Sequence, residues 1–171
     1  GDDNTGNSLP SEGGGVYLFD PDSFLTHSFE YGFQVADQSI GMSGSQWELL
    51  AVPTPGKVNA AAVSLGNPFN VVFNEWMAKP TQDADWFELF NPESKPVDLG
   101  GMSLSDDPTA AGRDKFIIPD RTYIPARGWV QWWADGTSSS GHVNFSLRGQ
   151  GELLRLYGSR RTAIDEVEIF N

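Results

Sequence analysis

Glycine and proline punctuate this chain too often for it to hold a long helix. Nineteen Gly and eleven Pro are spread over 171 residues, and few windows between them reach the three turns of an ordinary helix. The segments they leave are short and β-rich: Gly15–Phe19, Leu25–Tyr31, Gln46–Val52, Asn70–Met77, Asp85–Asn91, Lys115–Ile118, Gly128–Ala134, His142–Leu147, Glu152–Tyr157 and Ile164–Phe170. Short runs at roughly 8–15 residue spacing, with turn residues between, predict an antiparallel sandwich or barrel. Several alternate. Val167 and Ile169 face a core while Glu166 and Glu168 face water, and Leu25, Phe29 and Tyr31 read as inward with His27 beside them. Only Asn59–Leu65 has room for a helical turn, and it overlaps a linker over 60–68.

Charge narrows the function. A formal net charge of −12 repels phosphate, so the sequence predicts neither nucleic-acid binding through a basic face nor attraction to anionic lipid. No apolar run approaches the ~20 residues that cross a bilayer, so membrane insertion is not expected. Cysteine is absent, which removes disulfides, thiolate metal sites and a cysteine nucleophile. With 39% hydrophobic and 12% aromatic residues, the chain can still fill a core.

The chain also repeats itself. Residues 8–31 align without gaps to 146–169, an offset of 138. Ser8/Ser146, Leu9/Leu147, Gly13/Gly151, Leu18/Leu156 and Glu30/Glu168 are identical, and Val16/Leu154, Phe29/Val167 and Tyr31/Ile169 stay apolar. An offset this long suits copies of a whole domain rather than a solenoid unit. Residues 1–59 then read as the end of a preceding copy, and 69–171 as the copy that follows. The expectation is that 33–59, with Trp47, completes the following sandwich, within one chain or between chains as a strand-swapped dimer.

The motifs over 70–171 resemble a lamin tail domain. Val71-Val72-Phe73-Asn74-Glu75-Trp76-Met77, Asp85-Trp86-Phe87-Glu88-Leu89-Phe90-Asn91 and Val97-Asp98-Leu99-Gly100-Gly101-Met102-Ser103-Leu104-Ser105-Asp106 follow one another as in that family. Phe116-Ile117-Ile118-Pro119, Ala126-Arg127-Gly128, Asn144-Phe145-Ser146-Leu147 and Gly151-Glu152 continue the order. Trp47 followed by Pro53-Thr54-Pro55-Gly56-Lys57-Val58-Asn59 is similar to the family's ending. The resemblance implies an all-β, immunoglobulin-like antiparallel β-sandwich without catalytic activity. It further implies a module of a larger exported, extracellular or cell-surface protein, of a kind common in bacteria, which binds a protein or surface partner or spaces other domains.

The residues that could carry chemistry each have a structural reading. Asn74, Glu75, Trp86, Glu88 and Asn91 form the strand motif. Glu75 reads as pinning a neighbouring loop, with Phe73 and Trp76 in different environments, and Asn91 before Pro92 as setting an Asx turn. The catalytic alternative pairs Glu75 with Glu88 as glycosidase-type acids. Gly41-Met42-Ser43-Gly44-Ser45 misses the nucleophile-elbow pattern at its last position. His27 and His142 fit no metal-ligand spacing. No cofactor is expected. Calcium is the one weak option, at Asp2 and Asp3, Asp20 and Asp22, or Asp106 and Asp107, none of which matches the EF-hand loop. In Gly128–Ala134, Val130 and Trp132 share one face, and Trp129, Gln131 and Trp133 the other. Covered rings are the structural reading there. Exposed Trp129 and Trp133 would support carbohydrate or protein binding.

Overall fold

The protein is described by a computed structural model covering residues 8–148 and 151–170. Asp2 and Asp3 lie outside the described residues. Fourteen strands follow in chain order: β1 (Gly14–Phe19), β2 (Leu25–Tyr31), β3 (Ser39–Ser43), β4 (Gln46–Leu50), β5 (Val72–Met77), β6 (Asp85–Phe90), β7 (Val97–Asp98), β8 (Ser103–Ser105), β9 (Phe116–Ile117), β10 (Tyr123–Ile124), β11 (Trp129–Ala134), β12 (His142–Val143), β13 (Glu152–Tyr157) and β14 (Ala163–Ile169). Single 3₁₀ turns at Pro68–Asn70 and Ala111–Asp114 are the helical elements among the described residues.

Two four-stranded sheets, β12-β11-β6-β5 and β14-β13-β8-β9, face each other across the core. Alternation does the sorting: Phe87, Leu89, Val130, Trp132 and Ala134 point inward from the first sheet, and Leu104, Leu154, Leu156 and Ile169 from the second. The Phe87 ring stacks with Trp132 at 6.0 Å and with Phe145 at 6.4 Å, and meets Phe73 edge-on at 5.8 Å. Pairing is antiparallel except at β11–β12, where Trp133 and Ala134 run parallel to His142 and Val143. The architecture is an all-β, immunoglobulin-like sandwich.

Ahead of it lie two hairpins. β1–β2 and β3–β4 each form a two-stranded sheet, and neither joins a four-stranded one. β4, with Trp47, pairs with β3, and Leu50 bridges Ala62. Leu49 and Leu50 are buried, while Trp47 packs on Phe29 of β2 at 4.5 Å. The stretch around Ala62 makes no helical turn. It runs extended, with Ala51 N–H donating to Ala61 O and Val63 N–H to Leu49 O. The open edge of β4 offers these backbone groups partners, whereas a two-turn helix between prolines would leave most of its end groups unpaired.

The chain Phe29–Gln34 ties the first hairpin to the sandwich. Tyr123 N–H donates to Phe33 O at 2.9 Å, and Arg121 Nε donates to Glu30 O at 2.7 Å. The Arg121 guanidinium lies 4.4 Å over the Phe29 ring, and Phe33 meets Trp132 edge-on at 4.8 Å. Gly32 makes this approach possible, because a Cβ there would drive straight into the Thr122 side chain.

The sequence repeat has a structural counterpart. Shifting β1 and β2 by 138 residues lands on the bounds of β13 and β14. The registers agree as well: Val16↔Phe29 and Leu18↔His27 correspond to Leu154↔Val167 and Leu156↔Asp165, with an irregularity after Leu18 and after Leu156. That irregularity takes Leu25 out of the inward set. It pairs with Phe19 and is 53% exposed.

Candidate functional site

The outer face of β5, β6, β11 and β12 gathers Glu75, Trp86, Glu88, Trp129 and Trp133. Pleating sends every second side chain of these strands to solvent. Cross-strand pairing then sets three rows: Trp129–Phe90–Val72, Gln131–Glu88–Glu75 and Trp133–Trp86–Met77. The outer rows are apolar and largely aromatic, and the middle row is acidic. None of these positions carries Lys or Arg. Trp129 is 61% exposed, so the covered reading fails for that ring, whereas Trp86 and Trp133 are half-buried.

A β-bulge shapes the acidic row. The register of β5 against β6 slips between Phe73 and Glu75. The extra residue is Asn74, whose Nδ2 donates to Glu88 Oε1 at 2.5 Å. The slip also turns Phe73 and Trp76 to the same side, and both pack against the core rather than in different environments. Glu75 stays on the exposed face opposite Glu88 and accepts no loop hydrogen bond among the described residues. Neither carboxylate lines the clefts of about 480 and 450 Å³ beside the N-terminal segment.

Loop fixation falls to other acids. Asp85 accepts from Lys79 N–H at 2.7 Å and from Leu147 N–H at 3.1 Å. Asp165 accepts from Phe73 N–H at 2.7 Å, linking the two sheets. For Asp85 the available signal was its place just before Trp86, where a short acid can reach back over the preceding turn. Asp165 had none, since its partner lies 92 residues away. Asn91 is wholly buried. Its Oδ1 accepts from Glu93 N–H, and its Nδ2 donates to Lys95 O at 2.9 Å and Pro125 O at 2.8 Å.

The acidic turns hold their own backbone. Asp20 Oδ1 accepts from Asp22 N–H at 3.0 Å and Phe24 N–H at 2.8 Å. Asp106 pairs with Lys115 Nζ. Asp107 accepts from Thr109 N–H at 2.8 Å, which holds its carboxyl below the usual range. No group of three or more His, Asp or Glu side chains among the described residues is arranged to hold a metal ion. His142 Nδ1 sits 2.8 Å from Asp135 Oδ2. Burial raises the Asp135 carboxyl, but hydrogen bonds from Thr137 and His142 outweigh it and the net shift is downward. His27 lies exposed on β2.

Two clefts flank the sandwich where the N-terminal segment crosses it. One, about 480 Å³, opens between Pro10, Phe33, Gln131, Trp133 and His142, and so borders the outer face. The other, about 450 Å³, lies between Tyr17 and Tyr31 of the hairpin and Phe116 and Trp132 of the sandwich. Glu12 and Phe33 line both.

No curated protein matches the chain. A family model described as Lamin Tail Domain matches residues 66–170. That span begins just before β5 and closes with β14, enclosing both four-stranded sheets and all three rows of the outer face. Coverage of more than half the chain, together with the sandwich described above, places the protein in the lamin tail domain family, whose members are non-enzymatic immunoglobulin-like modules.

Proposed function

We propose that this chain is a non-catalytic module of a larger exported or cell-surface protein, and that it binds a protein partner through the outer face of β5, β6, β11 and β12. The observation that carries the reading is the three-row face, with Trp129 61% exposed beside Phe90 and with the Glu75–Glu88 row between apolar rows. Exposed aromatic area supplies binding energy at little entropic cost. The acidic row lacks a cation of its own, so the complementary partner offers Arg or Lys flanked by apolar groups.

An open sheet face gives Glu75 and Glu88 no water-excluding walls, which favours recognition over glycosidase chemistry. A sugar-binding reading rests on the same Trp129 ring, and one experiment separates the two. The protein, Trp129→Ala and Glu88→Lys are probed in parallel on an array of purified proteins and on a glycan array. Protein hits weakened at least about tenfold by both substitutions support the proposal. Hits on glycans alone, or protein hits indifferent to both, overturn it.

A further inference from the structure

The two equivalent hairpins differ in what covers them. In β13–β14 the core-facing residues Leu154, Leu156 and Ile169 are all 0% exposed, because they close the sandwich. In β1–β2 the equivalent Val16 and Leu18 are 47% and 63% exposed, and only Phe29 and Tyr31, at the far end of the same face, are covered. The edges differ likewise. The outer edge of β13 pairs with β8 through Arg155↔Ser105, Leu156↔Leu104 and Tyr157↔Ser103. No strand among the described residues pairs with the outer edge of β1. An open strand edge beside an open apolar face is a template for another strand.

We propose that β1–β2 is a docking surface for a further lamin-tail-like sandwich, which lays its β8-equivalent strand along β1 and closes its core over Val16 and Leu18. The repeat specifies the partner strand. Shifted by 138 residues, the β13–β8 pairing puts a leucine opposite Leu18 and small residues opposite Tyr17 and Phe19. Charge argues against the alternative in which two hairpins pair with each other. Residues 12–31 carry Glu12, Asp20, Asp22 and Glu30 and no Lys or Arg, so edge-to-edge pairing would bring like charges together. This surface is separate from the outer face of β5, β6, β11 and β12, and the proposal does not rest on that reading.

Two proteins test it, both read by amide hydrogen exchange at Val16–Phe19. In the first, a second copy of residues 66–145 is joined directly ahead of Ser8, the equivalent of Ser146. In the second, residues 146–169 are replaced one for one by a copy of 8–31, which asks whether this hairpin fits a slot known to accept one. Docking moves β1 from a locally opening edge to a core position, so exchange is expected to slow by about 100-fold or more relative to β1 in the original chain. Slowing in either protein, with a cooperative unfolding transition retained, supports the proposal. Exchange as fast as in the original chain in both overturns it, and the second protein guards against a poor junction in the first.

Discussion

Removing the Asn91 amide would leave backbone groups on two loops at once without their partner. Its side chain satisfies the carbonyls of Lys95 and Pro125 and the N–H of Glu93, at a position with no exposure. Unpaired buried polar groups cost about 1–3 kcal/mol each. Asn91→Ala is therefore expected to lower unfolding stability by about 1–3 kcal/mol, measured by urea denaturation. Tyr123 gives a pH signature. Burial first, then Asp98 across the β7–β10 pair, pushes its phenol from 10.0 up to about 12. The folded state thus favours the neutral phenol. This stability is intact below the ordinary value near 10 and is lost as pH rises toward 12. Denaturation midpoints at pH 9 and 11 should fall apart in the protein and draw together in Tyr123→Phe, with a smaller slope left by Tyr31, which burial also pushes up. The sequence places Glu75 and Glu88 on neighbouring strands. It does not reveal Asn74 as the bulge between them, because a bulge is decided by how two strands register and not by either strand alone.

Among the elements, the matched hairpins offer an internal control. Leu18 and Leu156 hold equivalent places, one open and one closed. Leu156→Ala should cost about 2–5 kcal/mol, as truncation in a packed core does. Leu18→Ala should stay within about 0.5 kcal/mol. Guanidinium unfolding of the two variants, side by side, checks the pair, and equal losses would contradict the burial contrast. The longer strands are legible in the sequence, because β1, β2, β5, β6, β11, β13 and β14 have enough length and alternation to declare themselves. Those that escape it are short or built of small residues. β7 and β10 have two residues each, and β8 is Ser103-Leu104-Ser105, buried throughout though two of its three side chains are polar. β3 hides in a glycine- and serine-rich stretch that reads as loop; only its pairing with β4 makes it a strand. Trp129 is legible as belonging to a face but not as surface, since whether a ring is covered depends on neighbours far away in the chain.

For the whole molecule, the seam between the first hairpin and the sandwich is narrow. It includes the Phe33–Tyr123 backbone bond, the Gln34 Nε2 bond to Arg121 O, the Arg121 contacts to Glu30 and Phe29, and the Phe33–Trp132 edge contact, all gathered around Gly32. Thr122, which Gly32 abuts, is itself buried and donates to Pro119 O. Gly32→Ala would act as a wedge. Exchange at residues 29–34 is expected to quicken about tenfold while the amides of Leu154 and Leu156 keep their protection. Equal loss at both places would show instead that the seam is part of the core. A seam this small also decides how the molecule answers to tension. Load applied through the chain ahead of Phe33 would reach the loop Arg121–Tyr123 before any strand of the two larger sheets, so the first yielding event under strain would be the parting of the hairpin and not the shearing of the sandwich.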